Sequence, residues 1–120
     1  MQERFGEFWL RVQAAQALAD LAGQQLDTAL ARGPSLTADE RGEVAVAGAQ
    51  AKVLAHRAAL DVGTGLFDVT GASSTAARHG YDRFWRNARV HTLHDPVAYK
   101  IRDLGRYALL DQIPEPTAYS

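Results

Sequence analysis

The sequence contains no cysteine, little net charge and no long apolar run. Without cysteine it can form neither a disulfide nor a cysteine-ligated zinc site. Its 13 Lys and Arg residues nearly balance 14 Asp and Glu residues, so overall charge gives no reason to expect nucleic acid or an anionic membrane as a partner. No apolar run approaches the roughly 20 residues of a membrane-spanning helix. The acidic N-terminus, MQERFGEFW, is unlike a secretory signal peptide. We therefore expect a soluble protein of the cytoplasm.

The alternation of Val, Ile and Thr that is typical of strands is also absent, and apolar residues instead recur at spacings of three and four. This spacing predicts a first helix over residues 2–32, which Gly33 and Pro34 end. The segment TADE, Thr37 to Glu40, fits a capping box at the start of a second helix over residues 38–67. Because this second helix is rich in Ala, Val and Gly, we expect neighbouring helices or another subunit to cover it on more than one side.

The rest of the chain reads as shorter helices. A break within residues 68–81 leads to a short helix, and another helix covers residues 82–94, with Phe84, Trp85, Ala88 and Leu93 expected on its inner side. Asp95 is predicted to cap the last helix, which Pro96 begins and which ends near Gln112. The sequence therefore predicts an all-α, up-and-down helical bundle in which residues 1–120 form a single domain.

Two histidines in the segment RVHTLHDP are the clearest candidates for chemistry. His91 and His94 lie three residues apart, so they share one side of a helix. A metal site needs three or four converging ligands, and Asp95 is expected to be occupied as a cap, so we predict no metal here. The pair could instead satisfy carbonyl groups at a helix end, or donate protons or hydrogen bonds in catalysis. His56, in the middle of the second helix, is expected to serve packing or an interface.

Two further segments carry weaker signals. The segment TGASST places glycine, hydroxyl groups and backbone amides ahead of a helix, where they could hold an anion or only cap the helix. The arginines of the segment RHGYDRFWRNAR could contact nucleic acid, bind the phosphate of a cofactor, or simply extend from a helix surface. Asp82 and the balanced overall charge argue against nucleic acid.

Taken together, the segments LFDVTGASST (66–75) and YDRFWRNARVHTLHDPVAYK (81–100) resemble the C-terminal helical domain of the acyl-CoA dehydrogenase superfamily. The likeness is strongest to its flavin-dependent monooxygenase branch, of the dibenzothiophene monooxygenase type. The resemblance implies a flavin cofactor, FMN or FAD, with His91 and His94 as hydrogen-bond donors at its reactive face. It also implies flavin contacts from a second set of residues, in part toward a neighbouring subunit: Gly71, Ala72, Ser73, Ser74 and Asp95.

A complete enzyme of this superfamily also has an N-terminal helical domain and a middle β-domain. The resemblance therefore implies that these two domains are partners of the present one, that the isolated domain is inactive, and that the protein forms a homo-oligomer, either a dimer or a tetramer. It further implies a small-molecule substrate and a flavin reductase as a partner. Two alternatives stay open: an FAD-dependent acyl-CoA dehydrogenase with Asp95 near the position of the catalytic base, and a non-catalytic helical interaction module.

Overall fold

The computed structural model describes residues 1–118, which fold into four α-helices and three short 3-10 turns, with no strand among them. The α-helices are α1 (Gln2–Arg32), α2 (Ala38–Thr70), α3 (Asp82–His94) and α4 (Val97–Leu110). The prediction of an all-α helical bundle is confirmed. None of the helices in the described range is long and apolar enough to cross a membrane.

The turn between α1 and α2 forms as its sequence dictates. Gly33 adopts a positive φ of 54°, which favours glycine, and its backbone N–H donates to the carbonyl of Leu30. The Thr37 hydroxyl accepts a hydrogen bond from the Glu40 N–H at 3.1 Å, and the Glu40 carboxylate accepts one from the Thr37 N–H at 2.8 Å. The predicted capping box is therefore present, and the hydrogen bond from the Thr37 backbone lowers the pKa of Glu40.

Helix α2 is the centre of the fold, as its small residues predicted. It forms an antiparallel hairpin with α1, in which Phe8 near the start of α1 packs on Gly65 near the end of α2. A Cβ atom on Gly65 would lie only 2.4 Å from Cζ of Phe8, so the absence of a side chain there admits the aromatic ring. Val46, Val53 and Ala58 of α2 are buried in the resulting core.

Helices α3 and α4 follow one another along α2, and both run antiparallel to it. Near the start of α3, Trp85 lies against Gly63, and beyond its end Asp95 contacts Lys52. Further along, the Tyr107 hydroxyl of α4 donates to the Glu43 carboxylate at 2.8 Å. The contacts thus descend α2 steadily towards its beginning. The described chain is elongated, 56 × 29 × 27 Å, with a radius of gyration of 17.3 Å, against about 14 Å for a compact domain of this length.

The predicted inner face of α3 is confirmed for Trp85 and Ala88, which lie towards α2, and is wrong for Phe84 and Leu93. Phe84 and Leu93 are 55% and 64% exposed, and Thr92 is the buried residue of this helix. Helix α4 behaves in the same way, since Lys100 is its buried residue while Leu109 is 84% exposed. The physical reason is that α3 and α4 pack against a single helix, so most of their apolar surface has no neighbour within residues 1–118.

Candidate functional site

His91 and His94 occupy the last turn of α3, and both are exposed. Their spacing of three residues places the two imidazoles on neighbouring positions of the helix surface. Val90, which is 67% exposed, lies on the same part of the helix, one turn before His94. Residues 1–118 include no group of three or more His, Cys, Asp or Glu side chains arranged to hold a metal ion. The end of α3 thus presents two imidazoles together with apolar surface.

His91 contacts a third histidine that the sequence did not single out for chemistry. The rings of His56 and His91 meet edge to face, with 5.1 Å between centroids and 78° between planes. His56 is only 7% exposed. Burial lowers its pKa, and electrostatic interactions with His91 and Lys52 lower it further, while Asp95 acts in the opposite direction. His56 is a packing residue, as expected, but it packs against a candidate catalytic group.

Asp95 does not cap α4, which corrects the prediction from the sequence. Pro96 is the N-cap residue, and the cap makes no side-chain hydrogen bond. The Asp95 carboxylate instead accepts a hydrogen bond from Lys52 of α2 and lies 3.7 Å from the ammonium of Lys100. Charge-assisted hydrogen bonds are stronger than a bond to a neutral amide, so the carboxylate binds the lysines in preference to a backbone N–H of α4. The bond from Lys52 also holds the pKa of Asp95 below its ordinary value.

The segment of residues 71–74 forms the turn that ends α2. Gly71 has a positive φ of 82°, and its N–H donates to the Phe67 carbonyl. The Ser74 hydroxyl is buried, donates to the Gly71 carbonyl at 2.6 Å and accepts from Thr70 at 2.7 Å. This hydroxyl is therefore engaged in holding the turn. The predicted helix start is a pair of 3-10 turns without a side-chain cap, and it leaves Gly71, Ala72 and Ser73 exposed.

The two groups of candidate residues do not come together within one chain. His91 lies beside His56, whereas the turn of residues 71–74 follows Thr70 at the end of α2. The stretch of α2 from His56 to Thr70 is roughly 20 Å long at an α-helical rise of about 1.5 Å per residue. The structure thus brings His91, His94 and Asp95 to one place and Gly71, Ala72, Ser73 and Ser74 to another.

The arginines of α3 make local contacts. Arg83 stacks over the ring of Phe84 at 4.9 Å, Arg86 donates to Asp82 at 2.5 Å, and Arg89 donates to the Thr92 hydroxyl at 2.7 Å. Each contact lies within the helix itself, at most four residues away. This is the behaviour of side chains that extend from a helix surface, which was one of the three interpretations of this segment.

A family model, acyl-CoA dehydrogenase, C-terminal domain, matches residues 1–98 of the chain. The chain therefore belongs to the C-terminal domain family of the acyl-CoA dehydrogenases. This family membership confirms the resemblance carried by residues 66–75 and 81–100.

Within that class the chain is similar to flavin monooxygenases. It is 49% identical over 116 residues to a probable FMNH2-dependent monooxygenase, SfnC, of Pseudomonas putida, covering 97% of the chain and 29% of that protein. It is 49% identical over 112 residues to a dibenzothiophene monooxygenase of Mycolicibacterium goodii, covering 93% of the chain and 27% of that protein. The predicted likeness to the monooxygenase branch is confirmed.

Solved structures of flavin monooxygenases contain a domain with the same fold as this chain. Methanesulfinate monooxygenase MsuC from Pseudomonas fluorescens superposes with a TM-score of 0.97 at 48% identity, over 99% of this chain and 31% of that one. TdsC from Paenibacillus sp. A11-2, solved with FMN and indole, gives a TM-score of 0.93 at 40% identity, over 99% and 30%. The chain thus spans less than a third of the length of these relatives.

Proposed function

We propose that this chain acts as the C-terminal helical domain of a cytoplasmic monooxygenase that uses reduced flavin and O2. The observation that carries the proposal is the match of almost the whole chain, at 40–49% identity, to proteins named as monooxygenases. The names of two of these relatives specify FMN or its reduced form, which supports FMN over FAD as the cofactor.

The residues at the end of α3 fit one edge of a flavin ring system. A flavin ring is flat and largely apolar, with hydrogen-bonding atoms along its edges. His91 and His94 offer such hydrogen bonds, and Val90 and Leu93 offer exposed apolar surface beside them. Bound reduced flavin would supply the electrons that activate O2. His91 and His94 would then hold a proton or donate a hydrogen bond to oxygen, which imidazole does well near pH 7.

The turn of residues 71–74 would serve a different flavin from the one that His91 and His94 of the same chain serve. The roughly 20 Å between the two groups, set by the rise of α2, favours an arrangement in which Gly71, Ala72 and Ser73 reach the cofactor of a neighbouring subunit. The exposed apolar surface of α3 and α4 also supports a homo-oligomer, a dimer or tetramer. N-terminal helical and middle β-domains would cover the remaining surface and complete the site.

The other partners follow from the relatives. Dibenzothiophene and methanesulfinate, which the names of relatives carry, are both small organosulfur molecules. We infer that the substrate of the complete protein belongs to this class, and that a separate reductase delivers the reduced flavin.

An acyl-CoA dehydrogenase with Asp95 as its base fits the structure less well. A base that removes a proton from carbon needs a carboxylate whose pKa lies close to the working pH. Hydrogen bonding to Lys52, together with Lys100, instead lowers the pKa of Asp95. Asp95 therefore serves better to fix the end of α3, and its earlier assignment to flavin binding remains a prediction.

The test is substitution of each histidine in the complete protein. His91→Ala and His94→Ala, assayed with reduced FMN, O2 and dibenzothiophene or methanesulfinate, should lose sulfur-oxygenated product while hydrogen peroxide is still released. His79→Ala is the matched control, because His79 is exposed and stacks on Tyr81 away from the end of α3. Unchanged product with both variants would reject the catalytic role. A complete protein that binds no flavin would instead support the interaction module.

A further inference from the structure

His56 contributes its ring, and no hydrogen bond, to its contact with His91. Neither ring nitrogen of His56 has a hydrogen-bond partner within residues 1–118. A buried polar atom without a partner is unfavourable compared with an apolar group of the same shape. Packing alone would therefore be served better by an apolar side chain, and this points to a role for His56 beyond stability.

The surroundings of the two rings leave His56 as the main support for His91. Both line one cavity of about 330 Å³, and the other lining residues are Lys52 and three alanines of α2 and α3. Methyl groups offer little surface against which an exposed imidazole can be oriented. The Lys52 ammonium is engaged by Asp95. Among the residues of this cavity, His56 is thus the one rigid, flat group in contact with His91.

The charge state of His56 suits this contact. Burial is the main cause of its lowered pKa, followed by electrostatic interactions with His91 and Lys52, which Asp95 only partly offsets. His56 is consequently neutral near pH 7, and a neutral ring can remain against His91 whether or not His91 carries a proton. Protonation of His56 in acid would place a second positive charge beside the Lys52 ammonium, which is unfavourable.

We propose that His56 is a positioning residue for His91: a neutral, buried ring that fixes the orientation in which the His91 imidazole meets the flavin. The inference rests on the proposed function, because His91 needs a defined orientation only if it donates to oxygen at the flavin. Errors of about 1 Å in the placement of a reacting group can cost a hundredfold in rate, so a fixed ring at this point has a measurable effect on turnover.

The experiment compares two variants of the complete protein. His56→Phe keeps a flat ring of similar size and cannot be protonated, whereas His56→Leu removes the ring. Arg57→Gln, at the exposed next position of α2, is the control. The first measurement is the ratio of sulfur-oxygenated product to hydrogen peroxide with reduced FMN, O2 and dibenzothiophene or methanesulfinate. The second is the conformation of His91 in crystals of the flavin-free protein.

His56→Leu should lower the ratio of product to peroxide by roughly ten- to a hundredfold and leave His91 in a changed or mixed conformation. His56→Phe should keep the wild-type ratio and a single His91 conformation. It should also keep this ratio as the pH falls below the ordinary histidine pKa of about 6.5, because its ring cannot be protonated. The proposal is overturned if His56→Leu matches the wild type in both measurements, or if His56→Phe is as damaging as His56→Leu.

Failure of the proposed function would look different. His91→Ala would then leave product formation unchanged, while the conformation of His91 in the flavin-free crystals of the His56 variants would still report on positioning. A folding defect is recognised by the thermal unfolding midpoint, which we expect to be equal to or higher than the wild-type value in His56→Phe, because two unpartnered buried nitrogens are removed.

Discussion

Replacing Gly65 with alanine should destabilise the pairing of α1 and α2, although alanine is the better helix former. The new Cβ would lie 2.4 Å from Cζ and 2.9 Å from Cε1 of Phe8, a residue that is buried. Overpacking of this kind costs about 1–3 kcal/mol. The change from glycine to alanine within a helix returns about 1 kcal/mol. We therefore expect a net loss of about 0–2 kcal/mol from these two terms.

Gly48 provides the matched control in the same helix. It is exposed, and a Cβ added there would meet nothing within 4 Å. Gly48→Ala should therefore stabilise α2 by up to about 1 kcal/mol. The difference between the two variants isolates the contact with Phe8, and it should be about 1–3 kcal/mol.

Native-state hydrogen exchange of the α1 and α2 amides in the complete protein measures this difference as a change in the free energy of local opening. A second arm repeats Gly65→Ala in a Phe8→Ala background. There the new methyl group has room, so the substitution should become stabilising, as at Gly48. Equal shifts for Gly65→Ala and Gly48→Ala in the wild-type background would show that Phe8 does not depend on the missing side chain, and would refute the reasoning.

Three further outcomes are expected. Asp95→Asn should destabilise the junction of α3 and α4 by about 2–4 kcal/mol, because the ammonium groups of Lys52 and Lys100 are largely buried and would lose this carboxylate. Hydrogen exchange of the amides in the last turn of α3 should therefore become faster, and unchanged exchange there would contradict this prediction. The lowered pKa of His56 means that the unfolded chain takes up a proton below about pH 6.5 before the folded one does, so stability should fall with decreasing pH by at most about 1.4 kcal/mol per unit. Unfolding midpoints measured from pH 7.5 to 5.5 should show a shallower decline for His56→Phe, and parallel curves would oppose this account. Gly42→Ala should displace Ile113, whose Cβ would lie 2.6 Å from the new methyl group, and so speed proteolysis after α4; wild-type cleavage rates would argue against it.

The helices themselves could be predicted from the sequence because their signals are local. Apolar spacing located α1 and α3 to the residue, and the capping box at Thr37 and Glu40 fixed the start of α2. The end of α2 lies at Thr70, a few residues beyond the predicted Phe67. The glycine of the turn, Gly71, marks this end, because it is the first residue whose backbone leaves the helical region.

The environment of each helix face could not be predicted in the same way. Periodicity shows that α3 has an apolar stripe, but not whether a neighbour within this chain covers it, and Phe84 and Leu93 remain exposed. The contacts at the candidate site are also distant in sequence. Lys52 reaches Asp95 and His56 reaches His91 only because α3 folds back along α2. The local preference of Asp for helix N-caps predicted that Asp95 caps α4, but its carboxylate binds Lys52, 43 residues away.

The ion cluster at Asp95 has a consequence for protein engineering. It ties the last turn of α3 directly to α2, while the backbone leaves the helical region at Asp95 and re-enters it only after Pro96. Changes of length or sequence beyond the first turn of α4, which supplies Lys100, should not be transmitted to His91 and His94. The second half of α4 is therefore a suitable position for grafting a different C-terminal segment, and the turn that carries the histidines can be kept intact in such chimaeras.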